Sequence, residues 1–202
     1  MKKLFIAVGV FFGLTTVNAQ SKGAVEFGVN VGYNFSTIGT DDGDFDTGEG
    51  FNVGFAADYF FNSSWSLKGK LIYDQKGYDN DYITDGTNDY PTDININYLT
   101  VPVMANWHFG KKKNWYLNFG PYVGFLLSAK DTALDTDLKY AFKSTDFGIS
   151  YGVGVKIPVS NQAKISIELE EADGLSNVLK GTSYDTRNKR GSINVGVNFL
   201  LK

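Results

Sequence analysis

The chain has 202 residues, 43% of them hydrophobic and 15% aromatic, with 23 glycines, no cysteine and a net charge of −3. The missing cysteines exclude a disulfide-stapled domain, and the acidic balance argues against a nucleic-acid partner. The length fits a single domain whose stability must come from burial and backbone pairing.

Residues 1–19 read as a secretory signal peptide. Lys2 and Lys3 form a basic start, Leu4 to Leu14 an apolar run, and Val17-Asn18-Ala19 a small-residue end. The apolar run is too short for a membrane helix, which needs about 20 residues. Cleavage after Ala19 leaves residues 20–202 as one domain. Without Lys2 and Lys3 its charge is about −5.

From Val25 onward the dominant signal is period two. Val25, Phe27, Val29, Val31, Tyr33 and Phe35 alternate with Glu26, Gly28, Asn30, Gly32 and Asn34. The alternation returns over Phe51–Phe61, Trp65–Tyr73, Leu99–Phe109, Leu117–Leu127, Phe147–Ile157, Ala163–Leu169 and Ile193–Leu201. One bulky apolar face and one small or polar face is a strand pattern, and it occurs about eight times. The connections alternate too. Asn62–Ser64, Gly110–Asn114 and Pro158–Asn161 are short, whereas Thr37–Glu49, Asp79–Thr92, Lys130–Ser144 and Ala172–Lys189 are long. The reading is all-β: an eight-stranded antiparallel transmembrane up-and-down β-barrel with short periplasmic turns and long extracellular loops.

A soluble carrier barrel would turn the apolar face inward, and a membrane barrel turns it outward. Two features favour the membrane. The second face carries Gly28, Gly32, Gly54, Gly120, Gly124, Gly148, Gly152, Gly154 and Gly196, which weaken a strand that faces water but make room for charged side chains inside a narrow barrel. Trp65, Trp107 and Trp115 all fall on the apolar register beside short turns, joined by Tyr59, Phe61 and Phe109, as an interfacial girdle requires. Tyr33, Phe35, Phe51, Tyr73 and Phe147 supply the other rim. The polar face then points inward. Lys68, Lys70, Lys76, Lys156 and Lys164 are expected to pair there with Glu26, Asp58, Asp74, Asp146, Glu168 and Glu170, leaving no open channel.

Pro102 and Pro121 fall inside strands of a wall that has no free edge. Folding the chain about Lys112 sets residue 102 opposite residue 122, so a bulge or lost ladder bonds are expected there. Ile94 and Ile96 share one parity and Leu99 and Val101 the other, which a bulge near Tyr98 would reconcile.

Tyr98-Leu99-Thr100-Val101-Pro102, Gly120-Pro121-Tyr122-Val123-Gly124-Phe125-Leu126-Leu127-Ser128, Asp146-Phe147-Gly148 and Gly174-Leu175-Ser176-Asn177-Val178 occur in this order. Together they resemble the PorT-like outer-membrane β-barrel family of Gram-negative bacteria. The resemblance covers nearly all of residues 20–202. It implies the barrel fold and the cell outer membrane, and an accessory part in protein secretion. Thr100 stands where the family often has an acidic residue. The final aromatic, Phe199, is followed by Leu200-Leu201-Lys202 instead of ending the chain.

Catalytic and metal chemistry find little support, and no catalytic, cofactor-binding or metal residue is assigned. His108 is the one histidine and reads as interfacial beside Trp107. No Cys/His set could hold zinc. Asp42, Asp44 and Asp46 have the alternating spacing of calcium ligands, but the glycine comes one place late and Val53 stands where the closing Glu belongs. Lys111-Lys112-Lys113 reads as an anchoring turn. The expected function is a non-enzymatic surface or assembly component. Its expected partners are outer-membrane lipid and lipopolysaccharide, the barrel-insertion machinery and possible secretion-apparatus proteins. An outer-membrane protease or lipid-modifying enzyme, a narrow pore, and a soluble carrier are the alternatives.

Overall fold

A computed structural model describes residues 22–41 and 43–201. The signal segment, Asp42 and Lys202 lie outside the described residues. Nine strands follow in order: β1 (Val25–Thr40), β2 (Gly43–Asp44), β3 (Asp46–Phe60), β4 (Trp65–Thr84), β5 (Asp89–Phe109), β6 (Trp115–Asp131), β7 (Thr145–Pro158), β8 (Ala163–Gly174) and β9 (Thr186–Leu201). β2 is a two-residue extension beside the end of β1. The other eight pair antiparallel with their neighbours, and β1 pairs with β9 to close the ring.

The ring is staggered. Its ladder runs from Val25 through Tyr59, Leu67, Ala105, Phe119, Tyr151, Glu171 and Gly191 and returns to β1 at Phe35. A ten-residue stagger in eight strands tilts them by about 40° from the barrel axis. At about 3.3 Å per residue, the apolar stretch Val25–Phe35 then spans a height of about 25 Å, the thickness of an outer-membrane apolar band. The outward residues Val31, Phe55, Phe119 and Leu169 are all roughly half exposed, at 60%, 48%, 55% and 53%. Lipid is the environment that makes this face favourable.

Both aromatic rims form. Near the short turns the Trp65 and Trp107 rings stack at 6.3 Å, and Trp107 stacks on Phe109 at 5.1 Å. At the other end Tyr33 meets Phe35 at 5.1 Å and Phe51 meets Tyr73 at 5.9 Å. The long connections lie on the expected side, but two of the four are mostly strand. β4 runs on to Thr84 and β5 begins at Asp89, so Asp79–Thr92 is a tight ribbon, and most of Thr37–Glu49 belongs to β1, β2 and β3.

Pro102 sits opposite Tyr122, as the fold about Lys112 requires. No bulge accompanies it. The register is unbroken, but the ladder skips from Pro102–Tyr122 to Ala105–Phe119 on one side and from Ile72–Thr100 to Gly69–Val103 on the other. The prolines remove pairs without shifting strands. One-residue register shifts fall away from the prolines, between Thr47 and Asn52, between Tyr78 and Asp81, and between Asn97 and Tyr98. Asn97 pairs with Ser128 and Tyr98 with Leu126, so the last irregularity falls at Tyr98 as expected, with Leu127 on the facing strand β6 as the extra residue. Ile94, Ile96, Tyr98 and Thr100 therefore all point inward without a change of phase.

Candidate functional site

The interior is a stack of ion clusters. Near the short turns Lys156 binds Glu26 and lies 2.9 Å from Asp58, and Lys164 lies 2.7 Å from Glu26. Asp58 also accepts hydrogen bonds from Ser66 at 3.0 Å and Asn106 at 3.1 Å. In the middle, Glu168 takes Lys68 at 3.1 Å, Lys70, the Tyr116 hydroxyl at 2.6 Å and Asn118 at 3.2 Å. Lys70 continues to Glu170, which binds Arg190 at 2.7 Å. Higher still, Lys76 lies 3.2 Å from Asp146 and 3.8 Å from Asp74. Asp146 accepts from Tyr122 at 3.1 Å and Asn188 at 2.9 Å, and Asp74 from Asn34 at 3.0 Å and Thr100 at 3.1 Å.

Every cation and carboxylate expected inside is there, together with one that sequence reading missed. Arg190 is 2% exposed and supplies a sixth cation against six carboxylates in the ion-paired interior. A neutral, fully paired set is the condition under which buried charge is tolerated.

The inward glycines make room, but mostly for rings and amides rather than for long charged chains. Gly154 faces the Tyr116 ring and Gly148 the Tyr122 ring, each as a direct cross-strand partner. A side chain at either glycine would collide with the ring. Gly28, Gly32 and Gly54 leave space for Asn198, Asn194 and Asn30. His108 is also placed differently from expectation. It is fully buried in the lumen, 3.0 Å from the Ser66 hydroxyl and against Phe60 at 4.9 Å, not at the membrane boundary.

The outer mouth is closed by an apolar plug of Ile38, Tyr78, Ile94, Ile96, Tyr98, Leu126, Ala129, Phe142 and Val178. Phe142 comes from the connection between β6 and β7 and pairs with Leu179 from the connection between β8 and β9. Between the plug and the short turns, the lumen near Lys68, Lys70 and Glu168 has a void of about 20 Å³, room for a single water. Removing Phe142 as Phe142→Ala should cost about 3–5 kcal/mol and is expected to show as a lower urea midpoint.

Beyond the plug the β4–β5 ribbon projects, its strands paired only with each other from Tyr82–Pro91 to Thr84–Asp89, while Thr92 at its base accepts from the Thr132 and Ala133 backbone. Tyr82 is 70% exposed there. Acidic groups gather around its base. Burial, with the neighbouring charges of Asp93, Glu49 and Asp46, holds the Asp79 carboxyl above the usual carboxylate range. At the tip the Asn88 and Thr87 backbone N–H groups and the Tyr90 hydroxyl hold Asp85 below it. Of the calcium-like set Asp42 lies outside the described residues, and the other two turn to different partners. Asp44 turns to Lys189 on β9, at 2.8 Å, and Asp46 to Asn80 on β4, at 2.6 Å. Among the described residues no three acidic or histidine groups could share a metal ion.

A closed, lipid-facing antiparallel ring with a filled lumen and surface loops defines a small integral outer-membrane barrel. Residues 18–180 match the family described as outer membrane protein beta-barrel domain, and the chain belongs to that family. It is therefore an outer-membrane protein. A search of curated proteins found no match. Among solved structures it is similar to Neisserial surface protein A, at 17% identity and a TM-score of 0.52 over 86% of this chain and 96% of that one. It is similar to the outer membrane protein AlkL, at 11% identity and a TM-score of 0.54 over 93% and 94%. OprG from Pseudomonas aeruginosa aligns at 13% identity and a TM-score of 0.52 over 91% and 99%. At these identities the likeness concerns the fold.

Proposed function

We propose that the protein is a closed, non-enzymatic barrel that displays its outer rim to partners, as a surface or assembly component of the outer membrane. The observation that carries this reading is the filled lumen: paired charges along its length, a void the size of one water, and an apolar plug at the mouth. A narrow pore would need a continuous wet path, so planar bilayers containing the folded protein are expected to show no stepwise conductance. Reproducible single-channel steps would overturn the reading.

The PorT-like resemblance supports an accessory role in protein secretion as the finer version. The projecting ribbon is the partner-facing element under this proposal, with its exposed Tyr82 and acidic base. Crosslinking in native outer membranes, with the wild type and with a variant whose residues 80–92 are replaced by a two-residue turn, tests it. Secretion-apparatus proteins should be captured by the wild type and lost with the ribbon. Identical capture by both proteins would sink the idea. External protease on intact cells should cleave at 85–88, because those residues are exposed and the long loops of such barrels face outward. Cleavage only after the outer membrane is breached would reverse the orientation.

A further inference from the structure

The lipid-facing wall has one charged interruption. Between the two aromatic rims, the outward residues of the described strands are apolar, aromatic, glycine or Pro121, except on β8. There the apolar run is only Ile165, Ile167 and Leu169, and the next outward residues are Glu171 and Asp173. Glu171 is exposed and shares its ladder row with Tyr151 and Gly191. Two strand steps further round the same row is Phe35, so Glu171 lies about 6 Å below that rim residue. Asp173 sits about 5 Å higher on the strand and accepts a hydrogen bond from the Tyr151 hydroxyl at 2.9 Å. Ionisable side chains on a lipid-facing wall are uncommon, and this pair stands where the rest of the wall is apolar.

Directly beneath Glu171 runs an oblique furrow of about 410 Å³. Its lower wall is the ladder row Leu117, Val153, Leu169 and Ile193. Its upper wall is interrupted at Gly191, where the first carbon of a side chain would stand 3.1 Å from the Glu171 carboxylate. The glycine leaves the furrow open toward the rim. The volume suits a small molecule and is too narrow for a helix about 10 Å across. A second copy of this chain would bring no counter-charge, because no described outward residue between the rims is Lys or Arg. The first outward cation above Gly191 is Lys189, already held by Asp44 at 2.8 Å.

We infer that the furrow holds the acyl chain of a single amphiphile with a primary-amine head group. Its tail lies along Leu117, Val153, Leu169 and Ile193. Its ammonium pairs with Glu171, and Asp173 completes the anionic end. A phosphate head group is repelled by the same two carboxylates.

The test uses the folded barrel in phosphatidylcholine vesicles with a nitroxide-labelled C18 amine, or the matching C18 phosphate, read by electron spin resonance. The motionally restricted fraction of the amine should exceed that of the phosphate several-fold. E171Q should cut this excess at least threefold, and G191L should lower the restricted amine by filling the furrow. Resistance of each variant to detergent denaturation at room temperature confirms that it is folded. Equal restriction of amine and phosphate by the wild type overturns the inference. So does an excess unchanged in E171Q, which would assign it to the acidic rim as a whole. A wild-type dimer abolished by E171Q would make a second copy the occupant and equally overturn it.

Discussion

Replacing Glu168 with alanine is expected to destabilise the barrel by about 3–5 kcal/mol, the usual cost of breaking a buried ion pair from one side. Glu168 is one of the most heavily used acceptors in the lumen, matched by Asp146. Lys68, Lys70, Tyr116 and Asn118 all donate to Glu168. Lys70 keeps Glu170 when Glu168 is lost, but Lys68 has no other ion-pair partner among the described residues. The Lys68 ammonium, left with no contacting carboxylate, is therefore the main penalty. Urea unfolding of the refolded protein in phospholipid vesicles measures it. Tyr116→Phe alone should cost about 1 kcal/mol, and in the Glu168→Ala background much less, because the acceptor is already gone. Full additivity of the two substitutions would show that the hydroxyl and the carboxylate do not act together.

Gly120→Ala should be the more damaging of two substitutions that look alike on paper. At Gly120 the new methyl would collide with the Val103 carbonyl oxygen and stand 2.7 Å from the Met104 Cα. Both are backbone atoms of β5, in the stretch where the prolines already interrupt the ladder. Relief requires separating two strands, at a cost of about 3 kcal/mol. At Gly124 the nearest atom is Tyr98 Cδ1 at 3.3 Å, on a side chain that can give way. Gly124→Ala should stay within about 1 kcal/mol of the wild type. Equal urea midpoints for the two variants would show that β5 and β6 do not approach so closely at Gly120.

Strand number, facing and rims were legible in the sequence because lipid imposes one rule on every outward position of the apolar band. The rule inverts above the outer rim, where water lies outside, and apolar side chains there turn to the lumen. Ile94 and Ile96 follow the inverted rule, which is why their parity looked like a phase change. His108 could have been placed correctly. It alternates with Trp107 and Phe109, and their outward register already puts it inside. Arg190 was hidden by a boundary, since the last long connection was drawn through Lys189, one residue before it. The Tyr116–Gly154 and Tyr122–Gly148 pairs depend on the register between β6 and β7, and a thirteen-residue connection between those strands leaves that register unspecified in the sequence. The furrow below Glu171 is a property of five adjacent strands, β6 to β9 and β1. Its one linear trace is the early end of the apolar run on β8.

The seam between β1 and β9 links two events that could have been separate. β9 is the last of the described strands and pairs with β1 over sixteen residue positions, from Val25–Leu201 to Thr40–Thr186. It also delivers Arg190, the cation that sits between Asp74 and Glu170. Until β9 docks, two strand edges are unpaired and the lumen carries an excess negative charge. Both defects vanish in the same step. Closure joins the most distant parts of the chain, so it carries the largest loop-closure entropy and is expected to be slow. A barrel that stalls before that step is open and internally charged, which gives folding a cooperative end point instead of a series of partly closed intermediates.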